Sequence, residues 1–147
     1  MLQPDSAATR EQVADTMIGL TRLSHSHRVI VAGSDSLQLS LCLRQRGFVH
    51  VTTTAACRNP RRQHAVGLIT GQGSHLAIEA GLTRISQFLT ASAAIAVLID
   101  SRESGFCLKV RNRLQQMGFR IEAGVRCQQG LVLSAYRQSF VEMENVA

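Results

Sequence analysis

Short apolar runs alternate with helical patterns along most of the chain. Val29, Ile30 and Val31 are consecutive, which is typical of a strand buried on both faces. Leucine pairs spaced four residues apart then predict a helix, and Gly47 supplies the left-handed residue at which many helices end. Residues 49–53 are rich in β-branched side chains and predict a second strand. This part of the chain therefore predicts a strand–helix–strand unit.

The same alternation continues toward the C-terminus. Apolar runs over residues 65–70 and 93–99 predict two further buried strands. Apolar residues at helical spacing predict three more helices, over residues 9–23, 75–89 and 106–117. The helices and strands thus follow one another in the order expected of a sheet with helices on its faces.

The last two predicted strands differ from the others in how they are connected. They span residues 120–126 and 131–137, and only four residues join them. This link is too short for a crossover helix, so the two strands must pair antiparallel. The order of elements predicts a three-layer α/β fold with a mostly parallel sheet of about six strands and a C-terminal antiparallel hairpin.

The length and composition indicate a single folded domain. The chain has 147 residues, of which 45% are hydrophobic and 18% are charged. We expect the domain over residues 9–140, with a flexible N-terminal tail at 1–8 and a C-terminal tail at 141–147. The sequence has no apolar run long enough to span a membrane and no signal-peptide pattern at its start. Its four cysteines form no CxxC pair, so we expect reduced thiols and a cytoplasmic protein.

The formal net charge of +6 rests on 16 basic residues, of which only Lys109 is a lysine. Arginine favours phosphate partners, but the arginines are scattered along the sequence, apart from Arg58, Arg61 and Arg62 and the pair Arg111 and Arg113. With one Tyr, no Trp and five Phe, the chain offers few rings for stacking bases, so nucleic acid is not expected as a partner. The five histidines lack the spacing of a metal site, and we expect them to be solvated.

Three stretches carry a resemblance to a known family. They are "VIVAGSDSLQLSLCLRQRGFVHVTT", "AVGLITGQGS" and "GFRIEAGVRCQQGLVLSAYRQ". With the N-terminal helix they resemble the Rossmann-like fold of S-adenosylmethionine-dependent methyltransferases, and the resemblance covers nearly the whole chain. That family has a strand and a helix between its second and fourth strands. Only residues 54–65 are available for them here, so we expect one edge strand of the family to be missing.

The resemblance implies five cofactor-binding positions. The family's first loop is rich in glycine because the backbone approaches the cofactor closely. The matching loop here has a single glycine, Gly33, followed by Ser34 and Asp35. Where the family has an acid that binds the ribose, the position matches Thr53, which cannot supply a charged acceptor. Where amine-methylating members carry Asp or Asn with prolines, this chain has Thr70.

These departures predict a degenerate, non-catalytic member of the family that acts as a binding or interaction module. No catalytic residue is assigned, and the partner is either another protein or a second copy of the chain. Two alternatives stay open. The domain is an active methyltransferase that binds S-adenosylmethionine in an atypical pocket, or it self-associates through the sheet edge at residues 49–53.

Two further groups of residues have both a functional and a structural interpretation. Residues 71–74, "GQGS", precede a predicted helix and could hold an anion or form a turn with a serine cap. Asp35 and Asp100 each follow a strand, and we expect the two strands to be neighbours. The two carboxylates could then bind a cation or a sugar hydroxyl, or each could cap the helix that follows it.

Overall fold

The computed structural model describes residues 5–57, 61–70, 75–99 and 105–137. Within this part of the chain, four helices and six strands form one domain. The helices are α1 (Asp5–Thr21), α2 (Ser36–Gln45), α3 (His75–Ser86) and α4 (Phe106–Gln116). The strands are β1 (Val29–Gly33), β2 (Val51–Thr53), β3 (His64–Thr70), β4 (Leu89–Ile99), β5 (Phe119–Arg126) and β6 (Leu131–Arg137).

The strands form one sheet in the order β2-β1-β3-β4-β6-β5. Strands β1 to β4 pair in parallel, whereas β6 is antiparallel to both of its neighbours, β4 and β5. The hairpin therefore places its second strand inside the sheet and leaves β5 at the edge. This arrangement confirms the predicted α/β fold with a mostly parallel sheet of six strands and a C-terminal hairpin.

Two apolar clusters, one on each face of the sheet, form the core. On the first face α1 and α2 pack against the sheet through residues such as Met17 and Leu43, both fully buried. On the second face α3 and α4 pack through residues such as Leu82 and Val110, also fully buried. The alternation of side chains along each strand explains this division, because successive residues point to opposite faces. None of the described helices is long and apolar enough to cross a membrane.

Several element boundaries differ from those predicted. Helix α1 begins at Asp5, four residues before the start expected at about Thr9. Ala7 and Ala8 are strong helix formers, and an acidic residue is favourable in a first turn. Strand β4 begins at Leu89, four residues before the predicted start, and α3 accordingly ends at Ser86.

Strand β2 lies at one edge of the sheet, as expected if the family's outer strand is missing. The backbone amides and carbonyls of Val51 and Thr53 point away from β1. It is their neighbours in the chain that bond to β1, as when the His50 carbonyl accepts from Val29 and the Thr54 amide donates to Val31. Both outward carbonyls are nevertheless occupied. The Arg44 guanidinium donates to the Val51 carbonyl at 2.6 Å, and the amides of Ala56 and Cys57 donate to the Thr53 carbonyl at 3.1 and 3.2 Å. These bonds protect the edge against pairing with another strand.

Candidate functional site

The five predicted site residues all lie at the carboxyl ends of neighbouring strands. Gly33 ends β1 and is followed by Ser34 and Asp35, Thr53 ends β2, and Thr70 ends β3. Since β1 lies between β2 and β3, the fold brings the three strand ends side by side. Gly33 and Thr70 are direct partners in the pairing of β1 with β3. In open α/β sheets, this edge is where ligands bind.

Gly33 is required by the packing of the strands themselves. Its φ angle is +113°, a conformation that side chains rarely adopt. A Cβ atom added there would lie 1.6 Å from the carbonyl oxygen of Thr70, which is backbone and cannot move aside without separating β1 from β3. The glycine expected to make room for a cofactor thus makes room for the neighbouring strand.

Asp35 stands at the N-cap position of α2, but its carboxylate makes no capping hydrogen bond. The alternative that this side chain caps the helix is therefore wrong. The backbone of Asp35 holds the start of α2 in place instead. Its N–H donates to the Thr70 hydroxyl at 3.3 Å, and its carbonyl accepts from the Leu39 amide at 3.0 Å. Ser34 is exposed in the turn before it. The Asp35 carboxylate remains available to the cleft beside it.

Thr53 uses its hydroxyl inside the chain. The Oγ1 atom accepts a hydrogen bond from the amide of Ala56 at 3.2 Å, which closes the turn after β2. Thr70 is buried, and its hydroxyl is the acceptor for Asp35. Each hydroxyl thus already accepts one hydrogen bond within the chain, and neither can supply the charge of the family's ribose-binding acid. The described residues that follow β2, up to Cys57, include no carboxylate.

A small cleft opens at this edge, between α1, α2 and the strand ends. Its cavity volume is about 20 Å³, room for roughly one water molecule and far below the usual range for small-molecule sites of roughly 300–1,000 Å³. Its floor is apolar, and its polar groups come from four different parts of the chain. The lining residues are Arg10, Val13, Asp35, Gln38, Leu39, Thr70, Leu98 and Gln129.

Two of these polar residues could not be found from the sequence. Arg10 belongs to α1 and Gln129 to the turn of the β5–β6 hairpin, and both are remote in sequence from the β1 loop. Their approach is fixed by contacts between α1 and the hairpin, in which the Gln12 side chain accepts from the amide of Gln128 at 3.2 Å and the Thr16 hydroxyl contacts the Cys127 thiol at 3.3 Å.

The expectation that Asp35 and Asp100 follow neighbouring strands is wrong. Asp35 follows β1 and Asp100 follows β4, and β3 lies between these two strands. Strand β1 pairs with β2 on one side and with β3 on the other, so β3, and not β4, is its second neighbour. Asp100 itself, like the "GQGS" segment at 71–74, lies outside the described residues. Among the residues that are described, no group of three His, Cys, Asp or Glu could hold a metal ion.

Solved structures with the same fold identify the class of architecture. A precorrin-6y C5,15-methyltransferase from Geobacter metallireducens superposes with a TM-score of 0.61 at 13% identity, covering 86% of this chain and 89% of that chain. The cyclase SpnF gives a TM-score of 0.60 at 13% identity, covering 88% of this chain and 82% of that chain. A magnesium protoporphyrin IX methyltransferase from Synechocystis gives 0.58 at 10% identity, covering 94% and 86%.

The chain therefore has the Rossmann-like fold of S-adenosylmethionine-dependent methyltransferases. The predicted resemblance is confirmed at the level of structure. No sequence-family profile matches the chain, and no curated protein matches it in sequence. At these identities the likeness shows the fold alone, because one fold carries many different functions.

Proposed function

We propose that this domain is a degenerate methyltransferase-like module that does not transfer methyl groups. It binds a ligand or a partner at the small cleft between α1, α2 and the strand ends. The observation that carries the proposal is the state of Thr53. It occupies the position where the family binds ribose through an acid, and its hydroxyl is held by the amide of Ala56 at 3.2 Å. A cofactor at this position would meet no charged acceptor, and charge-assisted hydrogen bonds are about twice as strong as neutral ones.

The chemistry of the cleft supports binding rather than group transfer. Arg10 contributes a cation and Asp35 a carboxylate, while Gln38 and Gln129 add amides that both donate and accept. The described cleft residues include no cysteine or histidine, so among them the Asp35 carboxylate is the group that could act as a general base. The arrangement is suited to contact with one polar group of a nucleotide-like ligand, or of a partner protein's loop, that lies on the surface over the cleft.

One observation favours an active methyltransferase as the second candidate. The Asp35 carboxylate makes no capping bond and lines the cleft beside the turn at Gly33, which is where the family holds its cofactor. Self-association through β2 has less support. The outward carbonyls of Val51 and Thr53 are bonded within the chain.

Thermal unfolding with S-adenosylmethionine or S-adenosylhomocysteine separates the first two candidates. A ligand at a hundred times its dissociation constant stabilises a protein by about 2.7 kcal/mol. For a domain of this size that is a rise in Tm of roughly 5–10 °C. We expect neither compound to shift the Tm at millimolar concentration, and we expect a shift only with a ligand of the cleft, for which adenosine and AMP are the first probes.

The Asp35→Asn variant locates any ligand that does bind. Its side chain has no capping role, so the fold should be retained while a contact to the carboxylate is lost. Glu122→Gln, an exposed change on β5, is the matched control because it alters the net charge equally at a distance from the cleft. A shift with S-adenosylmethionine that Asp35→Asn abolishes and Glu122→Gln preserves would overturn the proposal in favour of the enzyme.

A further inference from the structure

The end of the sheet opposite the cleft is strongly basic. We call this surface the amino edge, and define it as residues 22–28, 46–50, 61–64, 86–90, 117–120 and 136–137, which precede the parallel strands or follow β6. These segments contain no Asp or Glu. They contain seven arginines: Arg22, Arg28, Arg46, Arg61, Arg62, Arg120 and Arg137. Since the formal net charge of the protein is +6, the rest of the chain sums to −1.

The topology arranges these arginines in a row. Arg28 precedes β1, Arg61 and Arg62 precede β3, Arg137 ends β6 and Arg120 begins β5. From β1 to β5 the row crosses four spacings of about 4.8 Å between neighbouring strands, so it is about 19 Å long. Residues that are scattered along the sequence therefore lie along one edge of the folded molecule.

Two of the seven arginines are engaged within the chain. Arg46 forms an ion pair with Asp15 at 3.0 Å. Arg137 donates to the carbonyls of Leu89 and Thr90 at 3.1 and 3.2 Å and lies over the Phe119 ring at 4.9 Å. Burial, together with the positive charge of a neighbouring arginine, lowers the pKa of the Arg137 guanidinium. Arg137 thus contributes charge to the edge while serving the structure.

The other five arginines are exposed. They are Arg22, Arg28, Arg61, Arg62 and Arg120. None of them forms an ion pair with a described acidic residue, although Arg28 donates to the Gln63 side chain at 2.6 Å. A groove of about 210 Å³ also opens here beside Arg28, between His50 and His64. The amino edge therefore presents unpaired positive charge over most of its length.

We propose that the amino edge binds the phosphate backbone of a nucleic-acid duplex. A guanidinium group pairs bidentately with phosphate, whereas an ammonium acts as a point charge, and 15 of the 16 basic residues are arginines. The row of about 19 Å corresponds to about six base-pair steps of 3.4 Å. The phenylalanines of the edge are buried, and Tyr136 is its one exposed Phe, Tyr or Trp ring, which is less than the series of ring platforms that single strands favour. Binding to the backbone needs none of them.

This proposal does not depend on the cleft, which lies at the other end of the strands. The test is fluorescence anisotropy with a labelled 20-base-pair DNA duplex and an RNA duplex of the same sequence, titrated at several salt concentrations. If the five exposed arginines each contact one phosphate, the slope of log K against log salt for DNA should be about −4.5. The double variant Arg61→Glu/Arg62→Glu should bring the slope to about −2.7 and weaken binding at every salt concentration.

A matched control distinguishes a specific surface from net charge. Lys109→Glu/Arg126→Glu makes the same change in charge with exposed residues near the carboxyl ends of the strands. We expect this variant to keep the slope of the unmodified protein. Equal losses in the two double variants would overturn the proposal. It would also be overturned if neither duplex bound at 50 mM salt, or if poly-glutamate or phosphatidylserine vesicles bound as tightly as the duplexes and lost binding in the Arg61→Glu/Arg62→Glu variant. The comparison of the DNA and RNA arms then identifies the preferred duplex.

Discussion

Replacement of Gly33 by alanine tests whether this residue serves the sheet or a ligand. The new Cβ would lie 1.6 Å from the Thr70 carbonyl oxygen and would also impose a positive φ of 113° on a residue with a side chain. The backbone strain alone costs about 1–2 kcal/mol. To relieve the overlap, β1 must move away from β3. This movement breaks the hydrogen bond from the Asp35 amide to the Thr70 hydroxyl, which costs about 1 kcal/mol of stability, and it also weakens the hydrogen bonding between the two strands.

We therefore expect Gly33→Ala to lower the free energy of unfolding by about 3–5 kcal/mol, a large share of the roughly 5–15 kcal/mol that stabilises a typical domain. Gly118→Ala is the matched control. Gly118 has a similar positive φ of 91°, but a Cβ there meets nothing within 4 Å. The control should lose only the strain, about 1–2 kcal/mol.

Urea unfolding followed by far-UV circular dichroism measures both variants, since the chain has no Trp to report by fluorescence. Equal losses in Gly33→Ala and Gly118→Ala would refute the reasoning, because they would show that the approach of Gly33 to Thr70 adds nothing to the strain. The glycine would then be free to serve a ligand. If the expected difference is found, substitutions at Gly33 cannot be used to test cofactor binding, since they act through the fold.

Two other predictions concern buried polar groups. Burial lowers the pKa of His64 from its ordinary value of 6.5, Arg28 lowers it further, and the Phe88 carbonyl partly opposes both. The unfolded chain thus takes up the proton more readily than the folded protein. The free energy of unfolding should therefore be highest above pH 6.5 and fall as the pH drops through the lowered pKa of His64. Urea unfolding at pH 5–8 measures this fall, and His64→Asn should make it smaller. Ser134 is 2% exposed, and its hydroxyl has no hydrogen-bond partner among the described residues. The buried Ser40 hydroxyl, in contrast, donates to the Leu37 carbonyl at 2.8 Å. Ser134→Ala should therefore raise the free energy of unfolding by about 1 kcal/mol and Ser40→Ala should lower it by a similar amount; a loss in both would contradict the assignment.

The sequence was sufficient for features that depend on local patterns. Strand β6 begins and ends at the predicted residues, Leu131 and Arg137, because its apolar residues and the short link before it leave little choice. The hairpin, the missing outer strand and the positions of Gly33 and Thr70 at strand ends also follow from pattern and length.

Features that depend on the order of strands in space could not be predicted. No local pattern in the sequence indicates that β3 lies between β1 and β4. For this reason the strands that Asp35 and Asp100 follow were wrongly expected to be neighbours. His64 was expected to be solvated and is 9% exposed, because Phe88 packs against it from 24 residues away and accepts its Nδ1 hydrogen bond at 3.2 Å. Arg10 and Gln129 line the cleft because α1 contacts the β5–β6 hairpin, which is also remote from it in sequence.

The position of β6 inside the sheet has a consequence for the order in which the molecule can be completed. During synthesis, β1 to β4 and their helices emerge before β6, which supplies buried residues to both faces, among them Val132 and Leu133. Until β6 arrives, the apolar strand β4 has an open edge at Ala94–Ile99. A nascent chain that stalls before residue 131 therefore exposes a template for strand addition, and chaperones that cover such edges would be needed most at that stage.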